Sequence, residues 1–270
     1  MVRAGEESGG LAESLSVVGI QMEKNYLLAK KVRGALLYPG IIIIAMVIVG
    51  VLMLVFVVPT LTSTFKELKV DLPASTQAII AVSDFLSNHS ILSLLIFIMV
   101  AGGVYSGLQT KKGKRGAEAV VLRLPVIGEL VRKTNAARTG RTLSSLLTSG
   151  VDMVEAIRIT EEVVQNSYFK DVLRDAGLRV QKGTQLSAIF KEDHSPYPIL
   201  VGEMIEVGEE TGKLSDMLSQ IALFYENEVE EATKNLSTIV EPFLMVLVGV
   251  VVGFFAVSMI SPTYSLLNNI

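Results

Sequence analysis

Three stretches of the chain are apolar and contain no charged residue, namely residues 40–58, 91–108 and 243–260. Each stretch is close to the ~20 residues that an α-helix needs to cross a hydrocarbon core of ~30 Å. A signal peptide is a poor alternative, because its apolar region has only ~7–15 residues and lies at the amino terminus. The pattern therefore predicts three transmembrane helices, over residues 39–58, 91–108 and 242–260.

The polar part between the second and third apolar stretches carries apolar residues at helical spacing, and no strand pattern competes with it. Helices are predicted over residues 127–148, 153–164, 167–182, 186–190 and 199–207, with a sixth beginning at Leu214. Asp152 and Glu155 have the spacing of a capping box, and Ser167 is a candidate cap for the next helix. Because short connections make neighbouring helices pack side by side, we predict an all-α chain with an antiparallel bundle of about six helices over residues 109–241.

Basic residues flank the apolar stretches unevenly, and Lys and Arg are held on the cytoplasmic side of a membrane. The segment over residues 59–90 has two lysines against three acidic residues, whereas the other flanks are strongly basic. These basic flanks contain Lys30, Lys31 and Arg33 before the first span, and Lys111, Lys112, Lys114, Arg115 and Arg123 after the second. Residues 1–38 and 109–241 are therefore predicted to face the cytoplasm, with an external loop at 59–90 and an external tail at 261–270.

The chain repeats itself, because its first 67 residues align without a gap on its last 67 at an offset of 203. Each copy consists of a glycine turn, a polar helix, a proline and an apolar helix. Gly208 and Gly212 enclose acidic residues, which predicts a tight turn with glycines at positive φ. Pro39 and Pro242 are predicted to be first-turn residues or kinks. Identical pairs include Met1 and Met204, Gly5 and Gly208, Glu6 and Glu209, Gly9 and Gly212, Pro39 and Pro242, and Pro59 and Pro262.

Residue types typical of active sites are scarce or badly spaced in this chain. The net charge is only −3, so no strong field favours nucleic acid as a partner, and the chain has no cysteine. Residues 107–115 depart from a nucleotide-binding loop, since Arg115 stands where Ser or Thr would hold Mg²⁺. Neither His89 nor His194 has a second histidine at ligand spacing. We therefore predict no catalytic residue, no cofactor and no nucleic-acid partner.

The adjacent carboxylates of Glu209 and Glu210 leave two interpretations open. They are turn residues, as the glycines on either side favour, or they are ligands of a hard cation, with Glu209 as the metal candidate. Neither interpretation provides an acid/base pair, because adjacent side chains on a helix point in different directions.

The apolar stretches themselves contain no ionisable residue, whereas transporters and channels usually carry such residues within their spans. Gly249 and Gly253 have the spacing of a close helix-packing motif, although chance in a glycine-rich helix explains the pair equally well. A scaffold is the favoured function class. A small transporter or channel subunit and a membrane-tethered regulator are the alternatives.

Several motifs together resemble a known family, the inner-membrane platform proteins of type II secretion systems and type IV pilus assembly machines. They are Leu146–Val151 followed by Glu155-Ala156, residues 204–214 with their Gly-Glu-Glu-Thr-Gly core, and Glu241-Pro242 at the last span. The resemblance implies a non-catalytic platform in the bacterial inner membrane that couples a cytoplasmic assembly ATPase to polymerisation of pilin or pseudopilin subunits. It also implies contacts with other inner-membrane assembly proteins and with further copies of the chain. By the same resemblance, the structural or partner-contact candidates are Gly150, Glu155, Gly208, Glu209, Gly212, Pro39 and Pro242.

Members of that family resemble two copies of a helical cytoplasmic domain, and one copy is incomplete in this chain. The Leu-Leu-Thr-Ser-Gly motif occurs once, at residues 146–150, whereas the Gly-Glu-Glu motif occurs twice. Residues 1–38 are therefore expected to be the remnant of a first cytoplasmic domain. A truncated gene, a late start or a fragment would each produce this arrangement.

Overall fold

The computed structural model describes residues 11–67, 74–192 and 196–268 of the chain. Within these ranges the backbone is almost entirely helical and contains no β-strand, as predicted. The elements are α1 (Leu11–Leu52), a π-helical turn (Met53–Val57), α2 (Val58–Glu67), α3 (Ala74–Asn88), α4 (Ser90–Gln109), α5 (Lys111–Arg123), α6 (Ile127–Thr148), α7 (Met153–Val163), α8 (Ser167–Val180), α9 (Leu186–Phe190), α10 (Ile199–Thr211) and α11 (Leu214–Asn268).

The chain divides into two compact units. The first comprises Met1–Ala35 and Thr110–Leu236, and the second comprises Leu36–Gln109 and Ser237–Ile270. In the first unit α7 packs on α6 and α8, and α9 packs on α10. Its largest fully buried side chains come from six helices and form one apolar cluster, which includes Leu143, Leu146, Ile157, Phe169, Leu173, Phe190, Ile205, Leu218 and Ile221.

Several helix boundaries of the first unit agree with the sequence pattern. α6 and α9 have the predicted bounds, and α7 ends one residue before the predicted position. Asp152 caps α7, because its carboxylate accepts a 2.9 Å hydrogen bond from the N–H of Val154. The predicted cap of α8 was wrong by one residue. Asn166 accepts from the N–H of Tyr168 at 3.0 Å, and Ser167 is already the first helical residue.

The predicted tight turn over residues 208–214 was also wrong in its extent. α10 continues through Gly208 and Glu209 to Thr211, and only Gly212 leaves the helical region, at φ 69°. A glycine in this left-handed conformation ends a helix without the steric cost of a Cβ atom. The reversal of the chain is therefore shorter than the sequence indicated, and the acidic pair belongs to the last turn of a helix.

In the part of the chain that the structure describes, three helical stretches are long and apolar enough to cross a membrane, over Met22–Thr64, Ser90–Gln109 and Val240–Ser258. The segment at 59–90, predicted as a loop, contains the helices α2 and α3 in its described part. Pro39 and Pro242 lie inside α1 and α11 rather than in a first turn. The tail predicted from residue 261 is helical as far as Asn268.

In the second unit, proline residues leave two backbone carbonyl groups without a helical N–H donor. A hydroxyl group of α3 donates a hydrogen bond to each of these carbonyl groups. Pro59 has no N–H, and the N–H of Val58 bonds to Met53, so the carbonyl of Leu54 lacks a helical donor. The hydroxyl of Ser83 donates to that carbonyl at 2.6 Å. Ser83 is fully buried, as a polar group with a partner can be.

Candidate partner-contact site

Glu209 joins the end of α10 to the start of α9. Its carboxylate accepts hydrogen bonds from the N–H of Leu186 at 2.6 Å, the N–H of Ser187 at 3.1 Å and the Ser187 hydroxyl at 2.5 Å. The first N–H groups of a helix have no partner within it, and Gln185, the residue before α9, supplies no side-chain cap. A carboxylate is a strong acceptor at this position because it carries a full negative charge. Glu209 therefore acts as a remote cap of α9.

The sequence suggested that Glu209 is a turn residue or a cation ligand, and it did not suggest this capping contact. Ser187 is 22 residues away along the chain, so no local spacing reveals the pair. Within the described ranges, no group of three His, Cys, Asp or Glu side chains has the arrangement of a metal site. Binding of a cation by Glu209 stays a prediction.

At two of the predicted positions, Gly208 and Gly150, the structure shows why the residue is a glycine. A Cβ atom on Gly208 would lie 2.8 Å from the Cα of Leu214 and 3.2 Å from the Cβ of Met217. The start of α11 therefore approaches α10 more closely than a side chain permits. Gly150 adopts φ 78° after the end of α6, and this left-handed backbone conformation favours glycine because it has no Cβ atom.

The structure joins the Leu146–Val151 motif to the residue that follows the motif at 204–214. The hydroxyl groups of Thr148 and Ser215 are 2.6 Å apart, and the Ser144 hydroxyl donates to the carbonyl of Ser215 at 2.9 Å. The end of α6 is thus joined to the start of α11. Glu155 lies beyond this contact on α7, where its carboxylate accepts from the guanidinium of Arg158 at 2.7 Å and 2.5 Å.

Gly140 of α6 is a contact residue that sequence reasoning missed. A Cβ atom there would lie 2.8 Å from the carbonyl oxygen of Leu218 and 3.2 Å from the nitrogen of Ala222. Both atoms belong to the backbone of α11, so the two helices approach each other closely at this point. The small residues Ala136 and Ala137, one turn before Gly140, were the available signal, because small residues let helix backbones approach closely.

Acidic residues of α11 pair with basic residues of α6 and α1. Arg141 makes a bidentate pair with Glu226, with both N···O distances at 2.9 Å and both side chains about one-fifth exposed, at 19%. Lys31 pairs with Glu230 at 2.5 Å, and this hydrogen bond, together with that from Lys234, lowers the pKa of Glu230 to about 2. These acidic residues of α11 thus hold α6 and α1 against it within the first unit.

The two copies of the repeat differ in how much of their apolar face is covered. Leu218 and Val229 on α11 are fully buried, whereas their equivalents on α1, Leu15 and Tyr26, are 50% and 64% exposed. The same positions of the same repeat therefore contact other helices in one copy and present apolar surface in the other. Exposed apolar surface of this kind is typical of protein contacts. Pro39 and Pro242 belong to the second unit.

Comparison with known proteins agrees with the motifs. The family model of type II secretion system (T2SS) protein F matches residues 1–59 and 141–262. The chain is 38% identical over 272 residues to type IV pilus assembly protein PilC of Thermus thermophilus, covering 100% of the chain and 66% of that protein. It is 35% identical over 270 residues to PilC of Pseudomonas aeruginosa, covering 99% of the chain and 72% of that protein.

A relative from secretion systems matches over the same length. Type II secretion system protein F of Aeromonas hydrophila is 34% identical over 271 residues, covering 99% of the chain and 69% of that protein. The chain thus spans about two thirds of the length of these relatives. The internal repeat and the three apolar helices agree with the family match. The chain therefore belongs to the type II secretion system protein F family.

Proposed function

We propose that the chain is part of a non-catalytic platform in the bacterial inner membrane, which couples a cytoplasmic assembly ATPase to polymerisation of pilin or pseudopilin subunits. The names of its relatives support both settings, since PilC is named for type IV pilus assembly and protein F for type II secretion. The observation that carries the proposal is the form of α11. One helix from Leu214 to Asn268 contains residues of the bundle core and an apolar stretch of membrane-spanning length.

A platform needs a path from a soluble motor to the membrane, and a continuous helix can provide it. Leu218, Ile221 and Val229 are buried in the first unit, so movement of the packed helices would move this part of α11. The residues at 240–258 belong to the same helix, so its backbone continues from the first unit into the apolar stretch. In α1 the repeat provides a second helix of this kind.

The arrangement across the membrane is part of this proposal. The basic flanks support a cytoplasmic position for residues 1–38 and 109–241, external positions for 59–90 and 261–270, and spans at 39–58, 91–108 and 242–260. We propose that α6–α11 form an antiparallel six-helix bundle up to residue 241. The partners are the ATPase, pilin or pseudopilin subunits, other inner-membrane assembly proteins and further copies of the chain.

Cysteine accessibility tests the orientation directly, because the chain has no cysteine of its own. Lys182→Cys places a thiol at an exposed position two residues after the end of α8, and Asn88→Cys places one at the exposed end of α3. A membrane-impermeant maleimide added to whole cells, with the outer membrane permeabilised, should label only Asn88→Cys. Labelling of Lys182→Cys under these conditions would contradict the proposed orientation.

Co-purification and turnover test the function. The chain should co-purify with the assembly ATPase encoded by the same bacterium, and should hydrolyse no ATP in its absence. Substitution of exposed residues beside Gly150 and along the Leu15–Tyr26 face of α1 should weaken this association without changing membrane insertion. ATP hydrolysis by the chain alone, or solute flux through liposomes that contain it, would overturn the platform in favour of an enzyme or a channel subunit.

A further inference from the structure

A cavity of about 670 Å³ lies within the first unit and is lined by more basic than acidic side chains. Helices α1, α5, α6, α7 and α8 form its walls. Its charged lining residues are Arg33, Lys114, Arg138 and Lys170, with Glu118 and Glu162. A cavity of this volume falls within the range of small-ligand sites. The lining thus carries four positive and two negative charges.

Both carboxylates of the cavity already have partners. Glu118 accepts from the N–H of Ser167 at 3.0 Å and also from its hydroxyl, and it lies 4.0 Å from Lys114. Glu162 accepts from Arg158 at 3.0 Å. Neither carboxylate contacts Arg138, Arg33 or Lys170 in an ion pair. Lys114 and Ser167 thus hold Glu118, and Arg158 holds Glu162, so among the described residues no carboxylate of the lining pairs with Arg33, Arg138 or Lys170.

Arg138 is the unusual member of this group. Its Nε atom is buried and has no hydrogen-bond partner among the described residues, and no ion pair to it is found there. Burial lowers the pKa of its guanidinium, but an arginine stays charged at any physiological pH. A buried N–H donor without a partner costs free energy, because it loses water and gains no acceptor. Such a cost is offset when an anion enters and accepts hydrogen bonds from the guanidinium.

Asn135 lies one turn before Arg138 on α6 and lines the same cavity. Its side-chain nitrogen donates to the carbonyl of Val131 at 2.7 Å, while its buried Oδ1 has no donor within the described ranges. The cavity therefore lacks an acceptor for Arg138 and a donor for Asn135. A phosphate ester that also carries a hydroxyl group supplies both, and guanidinium groups bind phosphate in a bidentate geometry.

We propose that this cavity binds a phosphate group. Arg138 is the central ligand, and the positive charges of Lys170 and Arg33 help to neutralise the phosphate. The group comes from an anionic phospholipid headgroup or from a soluble phosphate compound. The first source has support in the sequence, because Arg33 is six residues before Pro39 and Lys114 is five residues after Gln109. Basic pockets close to the ends of membrane spans are typical sites for anionic headgroups.

Thermal unfolding of the full chain in nanodiscs tests the proposal and separates the two sources. One arm uses nanodiscs of phosphatidylcholine with inorganic phosphate or with sodium chloride at equal ionic strength. The other arm replaces part of the phosphatidylcholine by phosphatidylglycerol in phosphate-free buffer. We expect phosphate, phosphatidylglycerol or both to raise the unfolding midpoint of the wild type. A rise with phosphate alone assigns a soluble source, and a rise with phosphatidylglycerol alone assigns the headgroup.

Three variants test whether a ligand-induced shift of the unfolding midpoint arises from binding in the cavity. Arg138→Gln should abolish the shift and weaken phosphate binding about tenfold or more, because charge-assisted hydrogen bonds are lost. Lys170→Gln, on α8, should reduce the shift, and it decides the question if Arg138→Gln does not fold. Arg132→Gln removes the same charge from an exposed position of α6 outside the cavity and should leave the shift unchanged. The proposal is overturned if neither ligand stabilises the wild type, or if the cavity variants respond like Arg132→Gln.

Discussion

Thr76 donates a 2.6 Å hydrogen bond to the backbone carbonyl of Ser258, and both residues are buried. Within α11 this carbonyl would normally accept from residue 262, which is a proline without an N–H. Ser83, seven residues after Thr76 on α3, makes the matching bond in the other repeat copy, where Pro59 corresponds to Pro262. One short helix therefore donates to the carbonyl groups that repeat-related prolines leave without an N–H donor, and it contacts α11 and the π-helical turn that follows α1.

We expect Thr76→Val to destabilise the chain, because valine keeps the shape of threonine but leaves the carbonyl of Ser258 without a donor. The cost should be about 1 kcal/mol, in the range of hydrogen bonds between membrane helices and of unsatisfied buried acceptors. Reversible unfolding of the chain in detergent micelles measures the difference. Thr76→Ser retains the hydroxyl and is the control. Equal stability of Thr76→Val and Thr76→Ser would show that the bond contributes nothing.

Glu209→Gln should loosen α9, because a neutral amide replaces a carboxylate that accepts three hydrogen bonds. The expected cost is about 1–3 kcal/mol, since charge-assisted bonds to backbone N–H groups are lost or weakened. Amide hydrogen exchange at Leu186 and Ser187 measures the effect locally, and both amides should exchange faster. Glu210→Gln makes the same change at the neighbouring exposed residue and should leave this exchange unaltered. Equal exchange in the two variants would contradict the capping role of Glu209.

The helical elements could be predicted because their signals are local. Apolar spacing and the break at Ser149-Gly150 determined the end of α6, and the Asp152 cap determined the start of α7. Errors arose where two local signals competed, as at Asn166 and Ser167, both of which are good caps. The segment at 59–90 was predicted as a loop, because α2 and α3 lack the long uncharged runs by which the spans were recognised.

The candidate site could be predicted only in part, because its contacts join residues distant in sequence. Glu209 was selected for its place beside Gly208, but its partner Ser187 belongs to another helix. The close approach of Gly140 to Leu218 depends on helix packing, which no local pattern encodes. The unpaired state of Arg138 is visible only when all surrounding helices are in place.

Gly140→Ala should destabilise the first unit, although alanine is the better helix former. The added Cβ would lie 2.8 Å from a backbone oxygen of α11, so one of the two helices must move. Overpacking of this kind costs about 1–3 kcal/mol, which exceeds the gain in helix propensity of about 1 kcal/mol. Unfolding by urea in mild detergent measures the change.

Gly177→Ala is the matched control for Gly140→Ala. Gly177 is also in a helix interior, but its Cβ would meet only the Ile157 side chain, at an ordinary contact distance of 3.7 Å. This variant should gain about 0.5–1 kcal/mol of stability from helix propensity. The two alanine variants should therefore shift stability in opposite directions. A shift in the same direction would show that the approach of α6 to α11 is not close enough to exclude a methyl group.

The ion pair between Lys31 and Glu230 should make the attachment of α1 depend on pH. The hydrogen bonds from Lys31 and Lys234 lower the pKa of Glu230 from an ordinary 4.5 to about 2 in the folded chain. Above pH 4.5 the carboxylate is ionised in both the folded and unfolded states, and its stabilising contribution is complete. As the pH falls from about 4.5 to about 2, the unfolded state binds the proton first, and the contribution is lost.

Glu230→Gln removes this titration, so the difference in unfolding free energy between the wild type and this variant should be largest above pH 4.5 and vanish near pH 2. High salt should reduce the difference throughout, because both side chains are partly exposed. A constant difference between wild type and Glu230→Gln across this range would mean that the pair with Lys31 does not form in solution.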